Sequence, residues 1–124
     1  MNQELGKTIL YMEKEMRLCP WLKSIDSKEM IRRLKMEIRE LEKARTKKEI
    51  MDEAGDVALT AMKLVFMISR DHKISKKKII RNYHEKMKRR KPFVLQGRKI
   101  GLKECMRIWA EAKRNEKRGK GRNK

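Results

Sequence analysis

Apolar residues in this chain recur at intervals of three and four, in runs separated by short polar breaks, and no stretch makes a convincing strand. Leu5, Ile9, Met12 and Met16 set the first such stripe, over Asn2 to Arg17. It halts at "LCPWLKSIDS", where Pro20 discourages continuation and Ser27 is placed to cap the next helix. A second stripe, Ile31, Leu34, Ile38 and Leu41, predicts an amphipathic helix from Ser27 to about Ala44. After the connection "RTKK", with Thr46 as N-cap, the pattern predicts a helix over about Lys47 to Arg70. Within it, "VALTAMKLVFMI" at 57–68 is interrupted only by Thr60 and Lys63. A helix apolar on nearly every face must be buried, within the chain or between subunits.

"SRDHKIS" breaks that pattern, Ser75 is placed to cap a third long helix ending before Pro92, and "LKECMRIWAEAKRNEK" forms the last helix. The ending "RGKGRNK" is polar and broken by glycine, which predicts a disordered basic tail over 118–124 behind a domain of residues 1–117. Short connections make sequential helices antiparallel neighbours. The expected fold class is therefore all-α, a four- to five-helix bundle without a β-sheet.

Charge changes this picture more than size does. The 124 residues have the length of one domain, and 36 Lys plus Arg against 17 Asp plus Glu give a formal +19. Such a surplus attracts polyanions, whether nucleic acid, nucleotide or acidic membrane. Chains rich in Lys and Glu are also common among hyperthermophile proteins, where charge networks help at high temperature. No segment approaches the run of about 20 apolar residues that a membrane span needs, and the start carries acidic residues, unlike a signal peptide. The expected location is the cytoplasm. Cys19 and Cys105 have no metal-ligand spacing around them and read as free thiols.

Against this basic background, carboxylates sit at matched spacings in "MEIRE" (36–40) and "DEAGD" (52–56). Glu37 and Glu40 are three apart and share a helix face, as do Glu53 and Asp56. In an antiparallel hairpin centred near position 46 or 47, the two pairs fall at equal heights and all four would converge. Like charges brought so close cannot all stay ionised without a cation. Oxygen-only ligands favour Mg²⁺ or Mn²⁺ over Zn²⁺, and Mg²⁺ held this way accepts phosphate oxygens. The plainer alternative is two solvated helix faces pairing with Lys43 or Lys48. Gly55, unfavourable by about 1 kcal/mol inside a helix, would be explained by close backbone approach beside a metal.

Four separated stretches resemble the MazG family of nucleoside triphosphate pyrophosphohydrolases, of the all-α NTP pyrophosphatase superfamily. They are "CPW" at 19–21, "MEIRE" with "DEAGD", "KMKRRKPFV" at 86–94 and "WAEAKRNEK" at 109–117, and they occur in the family's order. The resemblance implies that Glu37, Glu40, Glu53 and Asp56 bind Mg²⁺, with Mn²⁺ as a substitute, and form the catalytic centre. It implies cleavage of a nucleoside triphosphate between the α- and β-phosphates, giving a monophosphate and pyrophosphate, in a role that removes unwanted nucleotides. It further implies that Lys86, Arg90 and Lys113 contact phosphates and that Trp109 packs on the base or ribose. A solvated basic stripe and a core or interface aromatic are the plainer readings of these residues.

The chain departs from the family pattern in three ways. Met36 replaces the first Glu of the EExxE motif; Lys91, Pro92 and Phe93 stand where the family has HPH; and nucleotide hydrolysis does not demand the basic surplus. No GxxxxGK loop and no GxSxG elbow occur, so P-loop and nucleophile-elbow chemistry have no support in the sequence. His72, at a helix end, is expected to meet the last carbonyls, and His84 to lie on the surface. The apolar segment 57–68 has more surface than one short bundle can cover, so a homodimer or higher homo-oligomer is expected. The rival reading is a non-catalytic basic helical protein that binds nucleic acid or nucleotide through 73–91 and 98–124.

Overall fold

The structure, a computed structural model, describes residues 1–122. Its elements are helices α1 (Asn2–Leu18), α2 (Pro20–Ser24), α3 (Ser27–Lys43), α4 (Lys47–His72), α5 (Lys76–Arg90), α6 (Pro92–Leu95) and α7 (Leu102–Arg122), and no strand occurs among the described residues. The all-α expectation holds, with five long helices and two single turns. None of the described helices is long and apolar enough to cross a membrane.

Both single turns occupy stretches that the apolar pattern leaves as breaks. Pro20 and Pro92 start them, because a proline at the first helical position loses no intrahelical bond and its φ is already helical. The cap of α3 also differs from expectation. Asp26, not Ser27, is the N-cap, its carboxylate accepting from the Glu29 N–H at 3.0 Å. Ser27 is buried as the first helical residue, and its N–H donates to Asp71 at 2.7 Å. At the other end of the chain α7 continues as helix to Arg122, through positions where a disordered tail is expected; residues 123 and 124 lie outside the described residues.

The chain divides into two compact units, Met1–Lys76 and Lys77–Lys124. The first is built on the antiparallel hairpin of α3 and α4, with α1 and α2 laid against it. Its fully buried centre is Leu22, Met30 and Met67, ringed by the half-buried Met16, Cys19, Ile25 and Leu64. Arg70 locks the far end of α4 to this centre. Its guanidinium donates to the Leu22 and Ile25 carbonyls, both at 2.8 Å, and to Asp71 at 2.7 Å. The Arg70 hydrogen bond, aided by the Ser27 N–H, holds the Asp71 carboxyl below the usual Asp range. Lys63, the charge inside the apolar run, meets Glu15 of α1 at 3.5 Å.

The apolar segment 57–68 is not buried within the chain. Met67 alone is fully covered, the rest is largely half-buried, and Leu59 is 40% exposed. One chain supplies too few helices to enclose α4 on every side. Leu5 and Ile9 of α1 and Ile31 and Ile38 of α3 are exposed in the same way. The second unit contains α5, α6 and α7, and no side chain among its described residues is fully buried. Its loop after α6 reverses at Gly97, whose φ of +66° suits glycine, with the Arg98 N–H closing onto the Phe93 carbonyl at 2.9 Å.

Candidate functional site

The site grows from the turn between α3 and α4. Thr46 caps α4, its hydroxyl accepting from the Glu49 N–H at 3.1 Å while the Glu49 carboxylate accepts from the Arg45 N–H, also at 3.1 Å. This Thr-x-x-Glu pattern anchors the start of α4 three residues after α3 ends. The short turn leaves little freedom in how the helices slide past one another, so it sets the register of the carboxylates.

In that register Glu37 of α3 meets Glu53 and Asp56 of α4, one carboxylate oxygen from each lying within 4.8 Å of the others. Glu37 and Glu53 are half-buried and Asp56 is exposed. Partial desolvation first, then the charges of Asp56, Asp52, Glu37 and Glu40, push the Glu53 carboxyl above its usual range. The group resists ionisation because partial desolvation and the neighbouring carboxylates both disfavour its charged form. On an octahedral Mg²⁺ with bonds of about 2.1 Å, opposite oxygens stand about 4.2 Å apart and adjacent ones about 3.0 Å, so side-chain movements of about 1 to 2 Å would bring all three onto one ion. The donor set therefore fits a hard divalent cation. Glu40 lies outside the cluster, 56% exposed and 3.9 Å from Lys43, yet near enough to act on Glu53 electrostatically.

Two neighbours of this cluster bear on its chemistry. Met36, where the family motif has a Glu, is half exposed, and its sulfur accepts from Arg32 at 3.4 Å. A Cβ added at Gly55 would meet nothing within 4 Å. Close backbone approach, expected as the reason for this glycine, is absent among the described residues.

The basic residues expected to bind substrate belong to the second unit. Lys86, Arg89 and Arg90 of α5 line a groove of about 960 Å³ together with Arg107, Glu111 and Glu116 of α7. Arg90 lies 5.0 Å and Lys91 5.5 Å from the centre of the Trp109 ring. Lys113 is exposed on α7. Glu116, which no sequence motif singles out, bonds Arg90 at 2.8 Å and Arg89 at 3.0 Å. Those hydrogen bonds, Arg90's foremost, hold the Glu116 carboxyl below its usual range. Its signal was present in the spacing, since Glu116 comes seven residues after Trp109 and so shares its helix face.

Residues 25–95 match the family model described as the MazG nucleotide pyrophosphohydrolase domain, a span that takes in the whole acidic hairpin. Among solved structures the chain is similar to a mazG-related protein from Thermotoga maritima, with 29% identity over 88% of this chain and 98% of that one, and a TM-score of 0.80. No curated protein matches.

Proposed function

The chain belongs to the MazG nucleotide pyrophosphohydrolase family, and on that premise we propose that it hydrolyses nucleoside triphosphates to a monophosphate and pyrophosphate with the help of a divalent cation. The observation that carries this reading is the meeting of Glu37, Glu53 and Asp56 across the hairpin, with the Glu53 carboxyl pushed up by desolvation and then by its acidic neighbours. These three would hold the ion, Mg²⁺ or Mn²⁺ by the hardness of the donors. Bound there, the ion supplies a Lewis acid that acidifies water and offsets charge on the phosphates.

The chain's own groups divide the remaining work. Glu40, outside the three-oxygen cluster and 3.9 Å from Lys43, would accept the proton of the attacking water. Lys86, Arg90 and Lys113 would hold phosphate oxygens, with Arg90 steadied over Trp109 before substrate arrives. Trp109 then has a nucleoside-contacting role only on ring surface that Arg90 and Lys91 leave free. A homo-oligomer belongs to the same proposal. The half-exposed α4 segment and the exposed Leu5, Ile9, Ile31 and Ile38 are apolar surface that a second copy would cover.

Incubation with each common NTP and dNTP plus Mg²⁺ or Mn²⁺, with pyrophosphate release as the readout, tests the reading. Release that falls by at least about 100-fold in Asp56→Ala, in line with losing an electrostatic contact to the transition state, supports it. No release with any nucleotide and either metal overturns it.

A further inference from the structure

Formal charge is shared unequally along the chain. Residues 77–124 carry 19 Lys and Arg against 4 Asp and Glu, which is +15 of the total +19. All four of those acids are already engaged: Glu85 with Lys88, Glu104 and Glu111 with Arg107, and Glu116 with Arg89 and Arg90. A network of alternating charges, the arrangement that helps at high temperature, has no anions left to draw on in this unit. The surplus is available to an anion from outside the chain.

Its distribution favours backbone phosphates over lipid. In α7, residues 113–119 include no apolar side chain, so these two or so turns have nothing to insert among acyl chains. Lys113 and Lys117 repeat at i,i+4, as do Arg114 and Arg118, and all four are exposed. Four residues of helix rise about 6 Å, near the advance along the duplex axis of two phosphates of one strand, about 6.8 Å. Single strands are usually held by bases stacked on aromatic rings. Here Arg90 and Lys91 lie over Trp109, Phe93 is half-buried, and Tyr83 is the one exposed Phe, Tyr or Trp among the unit's described residues.

We propose that the second half of α7, with the exposed cations of α5, is a docking surface for the phosphate backbone of a nucleic-acid duplex. The surface reads charge and not base sequence, and apart from Lys113, which the proposed substrate site also uses, it is independent of nucleotide hydrolysis. Arg114, Lys117 and Arg118 supply the contacts most readily separated from the groove, and Lys77 and Arg81 extend them along α5.

Fluorescence anisotropy with the full chain and a labelled DNA duplex of about 24 base pairs, over a salt series, tests this. Binding with Kd of about 1 µM or tighter near 0.15 M salt is expected, tighter than most sequence-independent binding. Replacing Arg114, Lys117 and Arg118 together by Gln should flatten the slope of log K against log salt by about 2 to 3 and weaken binding about 10- to 100-fold. Pyrophosphate release should be unchanged. Lys77→Gln with Arg81→Gln carries the same direction of effect and guards against a folding defect in the triple variant. Binding weaker than about 0.1 mM at that salt, binding by both sets of variants as tight as that of the parent chain, or tighter binding to a single strand or to phosphatidylserine vesicles would each overturn the proposal.

Discussion

Gly55 stands between two proposed metal-holding residues, Glu53 and Asp56, inside the second turn or so of α4. Its φ is not positive, and a Cβ there points into open space. Replacing it with alanine therefore adds no clash and no strain. What changes is the unfolded chain, which has fewer conformations to lose, together with the better helix propensity of alanine. Together these favour the variant by about 1 kcal/mol. For a cooperative unit of this size that raises Tm by about 4 to 8 °C. Thermal unfolding monitored by circular dichroism at 222 nm, with EDTA present, measures it directly. A lowered Tm would refute the reasoning, because it would mean that something outside the single chain packs against Gly55. An unchanged Tm with lost Mg²⁺-dependent turnover would instead place substrate or a second copy against that backbone.

The same geometry sets two further outcomes. Glu53 titrates above its unfolded value in the folded chain, so its contribution to stability is present in full below the unfolded pKa and is lost as pH rises through the raised one. Without metal, Glu53→Gln should therefore be the more stable protein at neutral pH and lose less stability over that rise. With Mg²⁺ the order should shrink or reverse, and a variant less stable than the parent in EDTA would count against a crowded, uncompensated cluster. Met67→Ala empties the centre of a buried core in which Leu22 and Met30 are its fully buried companions among the described residues, and should cost about 2 to 5 kcal/mol in a denaturant titration. Since residue 67 lies about 20 Å along α4 from Glu53, turnover by the remaining folded protein should be unaffected.

The readable parts of this protein are those governed by neighbours in sequence. The apolar stripes of 2–17 and 27–44 place α1 and α3 to within a residue or two, because a helix satisfies its own backbone and its buried face is written at intervals of three and four. The α3–α4 register was also legible, since a three-residue turn with a Thr-x-x-Glu cap leaves little choice of how Glu37 faces Glu53 and Asp56. Motif order was enough to identify the family. The short helices α2 and α6 were missed because a single turn shows no apolar period, and a proline that ends one helix also begins the next.

Tertiary structure alone decided the rest. Sequence spacing does not tell that Asp26 would cap α3 because Ser27 is drawn under Asp71, or that Arg70 would reach back 48 residues to the Leu22 carbonyl. Nor does it tell that Glu116 would hold Arg89 and Arg90, or that Glu37, Glu53 and Asp56 would bring oxygens within 4.8 Å of one another while Glu40 acts on Glu53 from outside that cluster. Each of these depends on long side chains whose rotamers are chosen by whatever surface the packed helices bring near them. Local sequence determines which helices form and which faces they present, while the pairing of charges across them is fixed only when those faces meet.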